Sequence, residues 1–179
     1  MAWTSTYRVL ERRFMMKAWN SLLDQIENTP RLAVLTGAGI SAASGIPTYR
    51  DDTGNWIPSE PIQHQAFLTD GGTLQRYWAR SMLGWVQMAK AQPNASHYAL
   101  AALEKAGAIT TLTTQNVDGL HQQAGHKTVI DLHGRLDQVT CLQCDKALSR
   151  TAVQQELERL NPGFAEQDAA LRPDGDADV

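Results

Sequence analysis

The stretch from Leu32 to Arg50, LAVLTGAGISAASGIPTYR, constrains the fold more than any other part of the chain. It opens on a short apolar run, Leu32-Ala33-Val34-Leu35, which reads as a buried strand entering a glycine turn. Gly37, Gly39 and Ala42 then meet the G-x-G-x-x-G/A spacing of a dinucleotide-binding turn. In such a turn the first small residue permits the tight bend and the second lets backbone approach a pyrophosphate. The third lets the next helix pack close to the strand, with its N-terminal N–H groups free for the anion. Short glycine patterns recur by chance, so the continuation carries the weight. Ser44-Gly45-Ile46-Pro47 ends any helix after about two turns, because proline lacks an N–H and disfavours helical backbone before it. A standard dinucleotide fold runs a full helix here, then a strand ending in a ribose-binding acid about 20 residues on. This chain instead runs Asp51, Asp52, Gly54, Asn55, Trp56 and Pro58, an ordered loop. The cradle is Rossmann-like, and the segment after it is a lid.

The 179 residues suffice for one domain, or one with a small insert. A net charge of −3 argues against a nucleic-acid-binding surface. No apolar run reaches about 18 residues, the length of a membrane span, so no membrane partner is expected. The N-terminus lacks a secretory apolar region and cleavage site. Its arginines and serine leave a transit-peptide reading open, but an ordinary helix accounts for it better. Two cysteines, Cys141 and Cys144, build no disulfide framework, so a reducing cytoplasm is the expected location. In a eukaryote the transit-peptide reading would make it the mitochondrial matrix.

In chain order, Phe14 to Asn28 places Trp19, Leu22, Leu23 and Ile26 at helical spacing. Pro61 to Phe67 reads as a short helix broken by Gly71-Gly72, and Thr73 as the N-cap of a longer one through Lys90. Trp56, Trp78 and Trp85 read mainly as an aromatic core, with an acyl-binding groove as the sharper alternative. Pro93-Asn94 opens a helix over His97 to Ala106, closed by Gly107.

Ile109 to Thr113 is a β-branched strand, followed at once by Thr114-Gln115-Asn116-Val117-Asp118-Gly119-Leu120-His121. Polar residues just past a parallel strand lie where open α/β sheets bind ligands. On this octapeptide alone, a ribose- and carboxamide-binding loop and a plain Asn/Asp/Gly turn are both open. Thr128 to Asp131 is a further strand ending in Leu132-His133-Gly134, and His133 is a candidate general base because histidine titrates near neutrality. His64, His97 and His126 fit helix or turn surfaces, and His121 fits a structural hydrogen-bonding role.

Val139-Thr140 runs as a strand into Cys141-Leu142-Gln143-Cys144. Two thiolates at that spacing are half of a tetrahedral zinc site. A redox C-x-x-C is the rival, but the thioredoxin-like pattern it requires is absent. Ser149 to Leu160 is a helix with Val153, Leu157 and Leu160 on one face, and the acidic stretch from Pro173 to Val179 reads as loop.

Taken in order, GAGISAASGIP (37–47), TQNVDGLH (114–121), DLHG (131–134) and CLQC (141–144) resemble the sirtuins, the NAD-dependent protein deacylases. The flanking PIQHQAF, RYWARSMLGW, QPNASHYAL, LNP and PDGD resemble the class II branch, which includes lipoamidase and ADP-ribosyltransferase sirtuins. The resemblance covers the chain from about Arg31 onward, and about the first half to two-thirds of a sirtuin catalytic domain. It implies an α/β fold: a Rossmann-like parallel sheet, incomplete at the C-terminus, with a helical subdomain and half of a zinc-binding module. The division it suggests is an N-terminal helix (1–30), an NAD-binding core (31–138) with a helical insert at about 54–92, and a partial zinc module with an acidic tail (139–179).

The resemblance implies that Gly37, Ala38, Gly39 and Ser41 hold the NAD pyrophosphate. It places Ile46, Tyr49 and Arg50 in the cofactor-binding loop, and Gln115, Asn116, Val117 and Asp118 around nicotinamide and its ribose. His133 is implied as catalytic base, Asn116 as a second catalytic residue, and Cys141 and Cys144 as two of four Zn2+ ligands. In the implied reaction the carbonyl oxygen of an acyl-lysine protein substrate attacks C1′ of the nicotinamide ribose and expels nicotinamide. The base then takes a proton from the ribose diol, and water finally releases lysine and O-acyl-ADP-ribose. NAD is consumed as a glycosyl donor, which agrees with a lid in place of the acidic ribose clamp. Thr48 stands where the family's GIPDFR has aspartate, which leaves a hydroxyl in place of a carboxylate. A second C-x-x-C, a GxSL-type phosphate motif and the last strands are absent from these residues. The expectation is a truncated sirtuin with little or no deacylase activity, or a fragment of an active enzyme. A non-catalytic NAD-binding fragment and a protein ADP-ribosyltransferase are the alternatives, and a hydride-transferring Rossmann enzyme is disfavoured. Nothing in the sequence sets the oligomeric state.

Overall fold

The computed structural model describes residues 16–177 except 18, 22, 30, 52, 57–61 and 173. Its frame is a three-stranded sheet in the order β1 (Leu32–Thr36), β2 (Ile109–Thr114), β3 (Val129–Asp131). Both pairings are parallel, as β-branched strands separated by helical crossovers require. Thr36 pairs with Thr114, and Thr114 with Asp131, so all three strands finish at one level. That common rim carries the glycine turn, the Gln115–Asp118 loop and the Leu132-His133 turn. The Rossmann-like α/β expectation holds. Pleating puts Leu35, Thr113 and Ile130 on one face. Leu35 and Ile130 are exposed there, so among the described residues this face lacks the helical cover that parallel sheets ordinarily have.

The N-terminal helix, α1, is helical at its described positions between 16 and 28. Phe14 and the side chain of Leu22 lie outside the described residues, and the expected apolar stripe is open, with Trp19 and Leu23 exposed. Between β1 and β2 lie α2 (His64–Thr69) and α3 (Gly71–Met88). Pro61 lies outside the described residues. The expected break at Gly71-Gly72 does not occur, because these residues form the first turn of α3. Asp70 is its cap, accepting the Thr73 N–H at 2.6 Å, so Thr73 lies inside the helix. The carboxylate satisfies one of the free N–H groups of that turn and offsets the low helix propensity of the glycines. Met82, Leu83 and Met88 bury the inner face of α3. Trp78 and Trp85 are half-buried, but Trp56, expected with them in an aromatic core, is 65% exposed on the lid loop. Helix α4 (Ala95–Lys105) begins on a capping box formed by Asn94 and His97. The crossover from β2 to β3 holds the short α5 (Leu120–Gln123).

β4 (Gln138–Thr140) and β5 (Ala147–Ser149) form an antiparallel hairpin leading into α6 (Arg150–Leu160). Of the apolar face expected on α6, Val153 and Leu157 are half-buried and Leu160 is exposed, while the fully buried residues of the helix are Arg150 and Gln154. Arg150 donates to the Ser81 carbonyl and hydroxyl and to Gln154 Oε1, at 2.9 to 3.2 Å. Its guanidinium lies over the Trp85 and Trp78 rings, 5.1 and 5.8 Å from their centroids. Helix α6 therefore docks on α3 through a satisfied cation.

The acidic stretch, of which Pro173, Asp178 and Val179 lie outside the described residues, is likewise not a free loop. Its described residues Leu171, Arg172 and Asp174 to Ala177 fold back through a Leu171–Ala177 bridge and lie on α3. Arg80 pairs with Asp176 at 3.2 Å, the Ala177 N–H donates to the Arg80 carbonyl, and Ala177 is fully buried. Docking depends on absent side chains, since a Cβ on Gly84 would stand 2.0 Å from the Gly175 carbonyl oxygen. Gly175 also has φ +81°, which glycine adopts without strain.

Candidate active site

After β1 the chain enters a seven-residue 3₁₀ turn, Ala38–Ser44, ended by Gly45 at φ 83°. The expected early stop is met by that left-handed glycine just before Ile46-Pro47. Gly37, read as permitting a tight turn, has ordinary extended backbone (φ −143°), and a Cβ there would only approach Gln115 Oε1 at 4.0 Å. A Cβ on Gly39 would meet nothing within 4 Å, so this backbone is open to a ligand.

The glycine turn and the Gln115–Asp118 loop are knotted together. Asn116 Nδ2 donates to the Gly37 carbonyl and to Ser41 Oγ, both at 3.1 Å. Ser41 is fully buried, and its hydroxyl donates to Asp118 Oδ2 at 2.6 Å. Asp118 Oδ1 in turn accepts the Leu120 N–H. Every group here has a fixed sense, because a carboxylate only accepts and an amide N–H only donates.

His133 stands on the turn after β3, exposed, with Nδ1 2.9 Å from the Gln115 carbonyl oxygen. The carbonyl can only accept, so Nδ1 carries a proton, and in the neutral ring Nε2 then holds the lone pair. A cavity of about 370 Å³ lies at this rim, lined by His133, Gln115, Asn116, Val117, Ala38 and Tyr49 among others. Trp56, Leu136 and Asp174 complete its wall, and Asp174 gave no sign as a site residue because it arrives on the docked strap. Burial, with the Asp174 carboxylate second, holds the Tyr49 hydroxyl above its usual range.

Ile46 and Arg50 do not line the cavity. Ile46 is buried with Met88 and Leu120. Arg50 donates to the Gly54 carbonyl and lies over Trp56, 4.4 Å from the ring centroid. The lid loop closes on itself: Asp51 accepts from Thr53 and Asn55, and the Thr48 hydroxyl donates to the Arg50 carbonyl.

Three histidines behind the rim are buried, which corrects the surface placement expected for His97 and His126. His121 Nε2 lies 2.9 Å from Thr36 Oγ1, His126 Nδ1 3.0 Å from Glu104, and His97 Nδ1 accepts the Asn94 N–H. The His121 ring meets the other two edge to face, with centroids 4.9 and 5.1 Å apart. Burial, then the neighbouring histidines, pushes the His121 pKa down to about 4, and burial also lowers that of His97. The Asn-x-x-His spacing of the capping box was the available signal for His97.

Cys141 and Cys144 occupy the turn between β4 and β5. The Asp145 N–H donates to the Cys141 carbonyl, with Asp145 at φ 56°. The backbone N–H groups of Gln143 and Cys144 point at the Cys141 thiol and hold its pKa below the usual value. Among the described residues no group of three or more His, Cys, Asp or Glu side chains is placed to hold a metal ion. A larger groove, about 780 Å³, opens at the opposite end of the sheet beside Ile109 and Thr128, and gathers none of the expected site residues. Among the described residues no helix is long and apolar enough to cross a membrane.

The Sir2 family model matches residues 37–174. A "NAD-dependent protein deacetylase" of Xanthomonas axonopodis pv. citri (strain 306) is 56% identical over 160 residues, covering 89% of this chain and 55% of that protein. "NAD-dependent protein deacetylase 2" of Bradyrhizobium diazoefficiens is 52% identical over 159 residues, covering 89% and 58%. The chain thus spans about half the length of the curated relatives it matches. Among solved structures, a Sir2–p53 peptide–NAD+ complex aligns with a TM-score of 0.62 at 35% identity, covering 77% of this chain and 55% of the other. A Sir2 homologue–NAD complex aligns with a TM-score of 0.59 at 40% identity, covering 73% and 51%.

Proposed function

The chain belongs to the Sir2 family, and on that premise we propose that its protein is an NAD-dependent protein-lysine deacylase. It would transfer an acyl group from lysine to ADP-ribose and release nicotinamide. The observation that carries this reading is the donation from His133 Nδ1 to the Gln115 carbonyl, which leaves Nε2 as a base facing a cavity shared with Asn116. A base beside a cavity of about 370 Å³, with room for a ribose and its base, suits proton removal from a ribose hydroxyl.

The remaining assignments rest on position. The pyrophosphate would lie over Ala38 and Gly39, where the backbone is open, with Gly37 and Ser41 held from behind by Asn116. Nicotinamide and its ribose would lie against Gln115, Asn116, Val117 and Asp118. Tyr49, on the lid, would close over them, while Ile46 anchors that lid in the core and Arg50 ties its far side to Trp56. The peptide carrying the acyl-lysine would enter at the exposed His133 side.

Cys141 and Cys144 fit two positions of a tetrahedral zinc shell, because a tight turn presents both thiols and N–H groups favour thiolate at Cys141. Bound zinc would brace the β4–β5 hairpin, and free thiols suit a reducing, cytoplasmic location. The test is incubation of the protein with NAD and an acetyl-lysine peptide, following nicotinamide and O-acetyl-ADP-ribose by chromatography. Both products are expected, with at least a hundredfold loss in His133→Asn, in line with removal of a general base. Product formation unchanged by that substitution would overturn the assignment of His133. NAD binding without nicotinamide release would favour the non-catalytic reading.

A further inference from the structure

We propose that His121 is a positioning residue for the NAD rim, acting on Asn116 through a chain of two threonine hydroxyls. Thr36 and Thr114 are register partners and the last residues of β1 and β2. Their Oγ1 atoms are 2.9 Å apart, His121 Nε2 is 2.9 Å from Thr36 Oγ1, and the Asn116 N–H donates to Thr114 Oγ1 at 3.1 Å. Histidine and both threonines are buried, at 1%, 9% and 2% exposure, so water does not compete for these bonds. The chain therefore runs from the histidine cluster to the residue whose side chain holds Gly37 and Ser41.

The sense of the protons follows from what each atom can do. The Asn116 N–H must donate, so Thr114 Oγ1 accepts. His121 Nδ1 has no protein partner, and its ring packs against those of His97 and His126. A buried N–H without an acceptor is rarer than an unmatched lone pair, which puts the imidazole proton on Nε2. His121 then donates to Thr36, and the Thr36 hydroxyl donates to Thr114, whose two lone pairs receive Thr36 and Asn116 together. Two strand ends and the first residue pair of the cofactor loop are thereby fixed by one imidazole. A hydrophobic residue at 121 would fill the same volume but leave Thr36 and Thr114 without a direction.

The functional half of this inference rests on the proposed NAD reading, and the test separates the two. The full chain, labelled with 15N, is compared with Thr36→Val, Thr36→Ser and His121→Gln. Expected are imidazole shifts placing the His121 proton on Nε2, a displaced Asn116 amide signal in Thr36→Val, and its return in Thr36→Ser. His121→Gln, which keeps a donor near the Nε2 position, is expected to hold the Asn116 signal near its native place. NAD affinity by calorimetry is expected to fall about tenfold in Thr36→Val, the equivalent of one lost hydrogen bond, and to recover in Thr36→Ser. A His121 proton on Nδ1, or an Asn116 amide unmoved in Thr36→Val, overturns the relay. Linked NMR shifts in a chain that binds no NAD uphold the relay and count against the NAD reading.

Discussion

Asp176→Asn is expected to convert a fold with a shallow pH dependence into an acid-labile one, because two buried groups oppose each other. The His121 pKa is pushed down from 6.5 to about 4 by burial and then by His97 and His126. Between those values the unfolded chain holds the proton and the folded chain does not, so stability falls as pH falls. At about 1.36 kcal/mol per pKa unit, the loss is about 3 kcal/mol. The Asp176 pKa is pushed up from 3.8 to about 6 by burial and then by Asp174, against the pull of Arg80 and Arg172. Here the folded chain binds the proton first, so stability rises as pH falls from about 6 to 3.8, again by about 3 kcal/mol. The two contributions nearly cancel, and His97, also depressed by burial, tips the sum toward a modest acid loss. Asparagine at 176 keeps the side-chain shape and removes one titration. Urea unfolding across about pH 4 to 6.5 is expected to show a loss of about 3 kcal/mol more on acidification than the native chain shows. His121→Gln is expected to do the reverse, gaining relative stability in acid. Both changes are large against a domain stability of about 5–15 kcal/mol. If both variants track the native profile, the opposed pair is not what shapes it, and the reasoning fails.

Gly84→Ala is expected to destabilise the chain by about 1–3 kcal/mol, because its Cβ collides with backbone and not with a movable side chain. Hydrogen exchange should then rise selectively across residues 171–177. Asn116→Ala removes the bonds to Gly37 and Ser41, and calorimetry should show NAD bound at least tenfold more weakly. Replacing Cys141 and Cys144 together by serine should bring zinc, measured by atomic emission, to background, with the thermal midpoint falling only if the metal braces the hairpin.

Most of the rim was legible because its motifs sit where local torsion rules act. Each polar motif directly follows a β-branched or apolar run, so its place at a strand end could be read before the sheet was seen. Gly45 and Pro47 stop the 3₁₀ turn, and Asn94 caps α4, by interactions spanning four residues or fewer. Those features depend on neighbours in sequence, and sequence records neighbours. The packing of His97, His121 and His126 ring against ring gave no comparable sign. A histidine looks alike in sequence whether its ring meets water or another ring.

The same division holds for the whole molecule. Strand order of appearance, the broken helix, the strand running into Cys141 and the position of His133 came from the amino-acid sequence by itself, while the β5 partner that makes Cys141 to Cys144 a hairpin turn came from the structure. Tertiary structure decided which polar groups go inside: Arg150 over two tryptophans, Asp176 against Arg80, and Asp174 in the cavity wall. It also turned an acidic stretch into a docked strap, through the absence of a side chain at Gly84, far earlier in the chain. Burial of a charge is set by the partners that meet it in space, and those partners are distributed over the chain without a period or a motif to announce them.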